Sequence, residues 1–203
     1  MQVHAFDTES LPDVPWKNGR GTTREIACWP AGSDLGSFHW RASIATIAAS
    51  APFSTFAGVD RTIVLLSGRG VHLRSADRSI DHRLDNVGQP FSFAGERAID
   101  CESLGTVSRD FNVMTRRGVH HAETRVVRAE ARLEPAPFGL LLALHGTWQV
   151  AGAAVANSLD PGHGLWWEEG EGLSWSFRPD PAHGHNDSAL IAVRWTSAST
   201  QSA

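Results

Sequence analysis

The densest run of hydrogen-bond donors in the chain is Pro15-Trp-Lys-Asn-Gly-Arg-Gly-Thr-Thr-Arg-Glu25. Glycines at 19 and 21 let backbone amides approach a ligand, and Lys17, Asn18, Thr22, Thr23 and Arg24 are all donors. Such a run suits an anion. It equally suits a polar turn opening a strand, because Gly-x-Gly alone matches neither the dinucleotide nor the P-loop pattern. Lys17 is the only lysine beside 17 arginines. Its compact ammonium offers a point charge that a planar guanidinium does not.

Three further groups follow. In Trp40-Arg41-Ala-Ser43, Arg41 and Ser43 share one face of a strand, since alternate residues point the same way. They form either a binding surface or a solvated polar face. In Phe53-Ser-Thr-Phe56-Ala-Gly-Val-Asp60-Arg61, the two rings plug one end of a barrel, and Arg61 pairs with Asp60 or with a bound anion. In Arg109-Asp-Phe-Asn112-Val-Met114, Asn112 and Met114 share a face, as a pocket wall or as a satisfied core amide and its neighbour.

Other chemistries lack their residues. A metal-binding β-barrel of the cupin type needs His-x-His, a carboxylate a few residues on and a later histidine. His183-Gly-His185 is the only His-x-His, with no glutamate at that spacing, and the adjacent His120 and His121 point to opposite strand faces. Neither Cys28 nor Cys101 lies in an activating motif, and there is no Gly-x-Ser-x-Gly elbow. No metal and no cofactor is therefore expected. A net charge of −4 over 203 residues gives no broad attraction for nucleic acid or an anionic membrane. No apolar run approaches the ~18 residues of a membrane span. The stretch Met1–Glu9 lacks the basic start and apolar middle of a signal peptide, so a cytoplasmic protein is expected.

The elements that position these residues read as strands almost throughout. Residues 38–47 alternate, and 61–66 form an apolar run closed by Ser67-Gly-Arg-Gly70 before Val71-His-Leu-Arg74, the pattern of a hairpin. Residues 91–93 and 128–133 alternate as well. The second half echoes the first: Leu140–Gly146 followed by Thr147–Val150 mirrors Thr62–Gly68 followed by Arg69–His72. An all-β chain with a sandwich or barrel present twice is expected, divided near the prolines of Glu134-Pro-Ala-Pro137 into 1–135 and 136–203 with some strand exchange.

Four motifs in order, Trp16–Ile26, Trp40–Ser43, Pro52–Arg61 and Arg109–Arg117, resemble the HutD/Ves family, densely through residue 118 and more thinly beyond. The chain departs from that family at Arg20, where many relatives carry glycine or another small residue. The resemblance implies a double cupin of two tandem β-barrels with an internal pocket, no catalytic metal and no established enzymatic activity. It also implies a place in histidine utilisation, sensing a small carboxylate intermediate such as N-formylglutamate or urocanate and restraining the pathway. It carries Trp16, Lys17, Asn18, Arg41, Ser43, Arg61 and Asn112 to the pocket. Thr22 joins them as a donor, and Trp40, Phe53 and Phe56 as apolar walls. Lys17, Asn18, Arg41 and Arg61 are expected to converge on one anion, since Arg binds carboxylate bidentately. The competing reading is a metal-independent hydrolase or isomerase with Glu25 or His72 as acid or base.

Overall fold

The computed structural model describes residues 2–152, 155–170, 174–183 and 187–198. In chain order the strands are β1 (Gln2–Asp7), β2 (Val14–Pro15), β3 (Gly21–Trp29), β4 (Trp40–Ile47), β5 (Ala51–Pro52), β6 (Val59–Ser67), β7 (Val71–Ser75), β8 (Asp81–Leu84), β9 (Pro90–Ala94) and β10 (Ile99–Ser103). They continue with β11 (Ser108–Arg116), β12 (His120–Val127), β13 (Ala131–Leu133), β14 (Phe138–His145), β15 (Trp148–Gly152), β16 (Val155–Leu159), β17 (His163–Glu168), β18 (Trp175–Pro179) and β19 (Ala189–Ser197). The fold is all-β; the one helical piece among the described residues is a 3₁₀ turn at Pro181–His183. No helix of the described residues is long and apolar enough to cross a membrane.

Two compact units result, Leu11–His120 and Met1–Ser10 with His121–Ala203. The first holds a six-stranded sheet, β2-β3-β4-β11-β6-β9, and a four-stranded sheet, β5-β10-β7-β8. The second holds β1-β17-β14-β19-β12 and β13-β18-β15-β16. Adding eight to each of β4 to β11 gives the order of β12 to β19, so the repeat seen in the Leu-rich strands extends to eight strands of each unit, with β1, β2 and β3 outside it. The corners match as well. Gly68 and Gly146 both have positive φ, and a Cβ at either would strike a serine Oγ, Ser108 at 2.7 Å or Ser188 at 2.6 Å. The Glu134–Pro137 segment, where a domain boundary is expected, joins β13 to β14 inside the second unit.

Two expectations change. The run closed by Ser67–Gly70 is not a hairpin, because β6 pairs with β9 and β11 whereas β7 pairs with β8 and β10. The glycine-rich corner carries the chain from one sheet to the other, so that Leu65 and Leu73 meet in one core. Within 128–133 only Ala131–Leu133 is strand. The sheets of each unit face one another across a core without merging into one closed hydrogen-bonded barrel.

The two cores differ in kind. In the second unit Leu133, Leu141, Trp148, Val150, Trp167, Trp175 and Phe177 belong to one buried cluster of aliphatic and aromatic side chains. In the first, Ile47, Ile63, Leu65, Val71, Leu73, Leu84, Ile99 and Cys101 fill one end of the interior. Beyond them the interior combines a small apolar cluster of Phe38, Val59 and Met114 with buried polar side chains, among them Arg61, Asp110 and Asn112.

Candidate functional site

Strand register assembles the polar interior of the Leu11–His120 unit. One row across the six-stranded sheet is Glu25, Ser43, Asn112 and Ile63. The next is Cys28, Arg41, Met114, Arg61 and Phe93, and on the other side lies Thr23, Ala45, Asp110 and Leu65. Because side chains alternate, these residues share the face that carries Ile63 and Leu65 into the core. Four strands, β3, β4, β6 and β11, thus bring Glu25, Arg41, Ser43, Arg61, Asp110 and Asn112 to one surface.

Arg61 is the centre of this group. Its residue is 7% exposed, and its Nη2 donates to Asn112 Oδ1 at 2.8 Å. Nη1 reaches the Ser54 carbonyl at 3.4 Å, and Nε is buried without a partner. Three rings surround the guanidinium, Phe53 at 5.0 Å, Phe93 at 5.1 Å and Phe56 at 5.8 Å from its carbon. Their faces favour a cation but are no substitute for a counter-charge. Burial lowers the Arg61 pKa to about 10, with the like charge of Arg41 adding to the effect. Among the described residues no carboxylate pairs with it.

Arg41 is placed differently. Its Nε donates to Glu25 Oε2 at 2.6 Å and its Nη1 to Ser43 Oγ at 3.2 Å. The Arg41 side chain is 13% exposed and that of Glu25 49%, so this pair stands at the wet edge and Arg61 deeper. Asp110 is fully buried, and neither of its oxygens has a hydrogen-bond partner in the protein. Burial raises its carboxyl to about 7, against the partial pull of the Arg61 charge. Cys101 faces both from the four-stranded sheet, its thiol pushed up to about 12 by burial and by Asp110; burial also raises Cys28 to about 11. Burial thus disfavours the nucleophilic thiolate form at both cysteines.

Trp16 flanks this surface. Its Nε1 donates to Thr23 Oγ1 at 2.8 Å, and a Cβ on Gly21 would lie 2.9 Å from the indole and 2.3 Å from the Thr46 carbonyl. Gly21 therefore seats the ring rather than cradling a ligand. Lys17 and Asn18 are exposed on the preceding turn, where Asn18 Oδ1 accepts from the Arg20 amide at 3.0 Å. Arg20 itself reaches the Ser50 carbonyl. Thr22 lies on the opposite face of β3 from Thr23 and donates to Asp13 at 2.8 Å. Trp40 is fully buried on the opposite face of β4 from Arg41. Of the residues expected at the site, the structure gathers Arg41, Ser43, Phe53, Phe56, Arg61 and Asn112 with Trp16 beside them. Lys17, Asn18, Thr22 and Trp40 lie elsewhere. Asp60 pairs with Arg117 at 2.9 Å and not with Arg61, because adjacent strand residues point apart.

Asp110 stands two residues before Asn112, so alternation alone puts it on the same face. Of the alternative acid–base residues, Glu25 is engaged by Arg41. His72 lies on the outward face of β7, 2.5 Å from Asp81. Among the described residues no group of three or more His, Cys, Asp or Glu side chains is placed to hold a metal ion; His185 lies outside those residues.

A sequence model of the HutD family matches residues 8–182. Protein Ves of Cronobacter sakazakii is 40% identical over 166 residues, covering 81% of this chain and 87% of that protein. The structure of HutD from Pseudomonas fluorescens SBW25, described as a formate condition, superposes with a TM-score of 0.81 at 27% identity, covering 97% of this chain and all of that one. A cupin 2 conserved barrel domain protein from Leptotrichia buccalis shares the fold at 9% identity, with a TM-score of 0.59 over 96% of this chain and 97% of its own.

Proposed function

The chain belongs to the HutD family, and from that premise we propose that it is a non-enzymatic binding protein on a double-cupin scaffold, taking a small carboxylate at Arg61. One observation carries the reading: a buried guanidinium whose hydrogen bonds, among the described residues, go only to the neutral oxygens of Asn112 and Ser54. A buried charge is costly unless it is paired, and a carboxylate supplies both charge and bidentate geometry. Arg41 at the wet edge adds attraction for an incoming anion, and the three phenyl rings exclude water around the bound group.

In this reading the ligand is an intermediate of histidine degradation, N-formylglutamate or urocanate, bound in the cytoplasm, and its binding restrains the pathway. Calorimetric titration of wild type and Arg61→Ala with formate, glutarate, urocanate and N-formylglutamate tests it. Binding by wild type that Arg61→Ala abolishes supports the reading; absence of binding, or affinity untouched by the substitution, defeats it. The rival, a metal-independent enzyme, draws on the Asp110 carboxyl at about 7, near the working range of a general acid or base. Consumption of a bound ligand over time, followed by NMR, would decide for the enzyme.

A further inference from the structure

Resting on that carboxylate site, we infer that Asp110 selects among carboxylates by requiring the ligand to carry an N–H group that donates to it. The Asp110 carboxyl is fully buried with both oxygens unpartnered, and it lies one pleat from Asn112, the residue that holds Arg61. Its cross-strand neighbours on this face are Ala45 and Leu65, neither of which offers a side-chain donor. Arg61 Nε is likewise buried without a partner, and the two side chains attract one another without forming an ion pair.

The interior therefore presents one unsatisfied donor and one unsatisfied acceptor on one sheet face, near enough for their charges to interact. A ligand bearing only a carboxylate answers Arg61 but brings its negative charge toward Asp110. One that also carries an amide, amine or imidazole N–H answers both. A site built to receive a hydrogen bond rejects the analogue that lacks it far more strongly than an apolar site rejects a small change of shape.

Two matched pairs test this in wild type, Asp110→Asn and Arg61→Ala: N-formylglutamate against glutarate, and urocanate against 3-(2-furyl)acrylate, in which a ring oxygen replaces N–H. Wild type should prefer the N–H member of at least one pair by about tenfold or more, within the range expected for an unmet buried partner. Asp110→Asn should reduce that preference to within about threefold, mainly by tightening the member without N–H, as expected when a buried charge is removed. A melting curve confirms that the variant is folded. Equal wild-type affinity within both pairs, with both members lost in Arg61→Ala, overturns the role of Asp110 and leaves the carboxylate site standing. So does a preference that survives Asp110→Asn. Failure of all four compounds to bind wild type overturns both.

Discussion

Arg41 and Arg61 face the same interior, but only Arg41 has a carboxylate: Glu25 receives its Nε at 2.6 Å, whereas Arg61 donates to the Asn112 and Ser54 oxygens. Among the described residues the deeper cation thus has no carboxylate in hydrogen-bond contact and only the longer-range attraction of Asp110, and this separates what each residue contributes.

Replacing Arg61 by methionine should weaken carboxylate binding by about 2–5 kcal/mol, the usual cost of removing one partner of a desolvated charge pair. Removal of the desolvated charge favours the fold, but Asn112 Oδ1 loses its 2.8 Å donor, so stability should fall by no more than about 1–3 kcal/mol. Calorimetry and urea unfolding on the same sample read the two effects. A large fall in stability would mark Arg61 as structural.

Glu25→Gln should act in the opposite direction on binding. The pair is partly solvated, so its loss should cost at most about 1 kcal/mol of stability. The freed Arg41 should tighten carboxylate binding several-fold at low salt, and the gain should shrink as salt screens it. Titrations at two ionic strengths check this.

Asn112→Leu leaves Arg61 Nη2 without its 2.8 Å acceptor. An orphaned buried donor costs about 1–3 kcal/mol, more for a charged one, and the loss should appear as a lower urea midpoint with an unchanged slope. A saturating carboxylate ligand should recover part of it.

Asp110 gives stability a pH dependence of its own. Its carboxyl titrates near 7 in the folded protein against an ordinary 3.8, so the folded state holds the proton more tightly. That contribution is fully present below about pH 4 and is lost as pH rises to about 7, amounting to about 4 kcal/mol for a shift of this size. Asp110→Asn should remove this decline and be the more stable protein at pH 8. Urea unfolding from pH 4 to 8, read as the difference between the two proteins, measures it.

Period-two alternation and turn residues were enough to read the strands and their repetition, because each strand buries one face against its own core. The sheet change at Ser67–Gly70 was not legible, since a glycine-rich corner between sheets has the composition of a hairpin turn. At the site, alternation already separates Trp40 from Arg41 and Thr22 from Thr23, and it already unites Asp110 with Asn112. Lys17 is the only lysine, but rarity in a composition says nothing about depth, and the residue is exposed on a turn. The rings about Arg61 come from a loop and from β9, a convergence that only the folded chain defines.

The interior enclosed by β14, β15, β17 and β18, filled by aliphatic and aromatic side chains, and the charged one crossed by β11 should open to solvent on different timescales. Backbone amides of β14 and β19, central in their sheet and buried on both faces through most of their length, should exchange with deuterium only through the largest openings. In β11 the amides around Asp110 and Asn112 should be released by smaller fluctuations that let water reach the unpaired groups. A bound ligand should slow that segment first, giving occupancy a signature along the backbone.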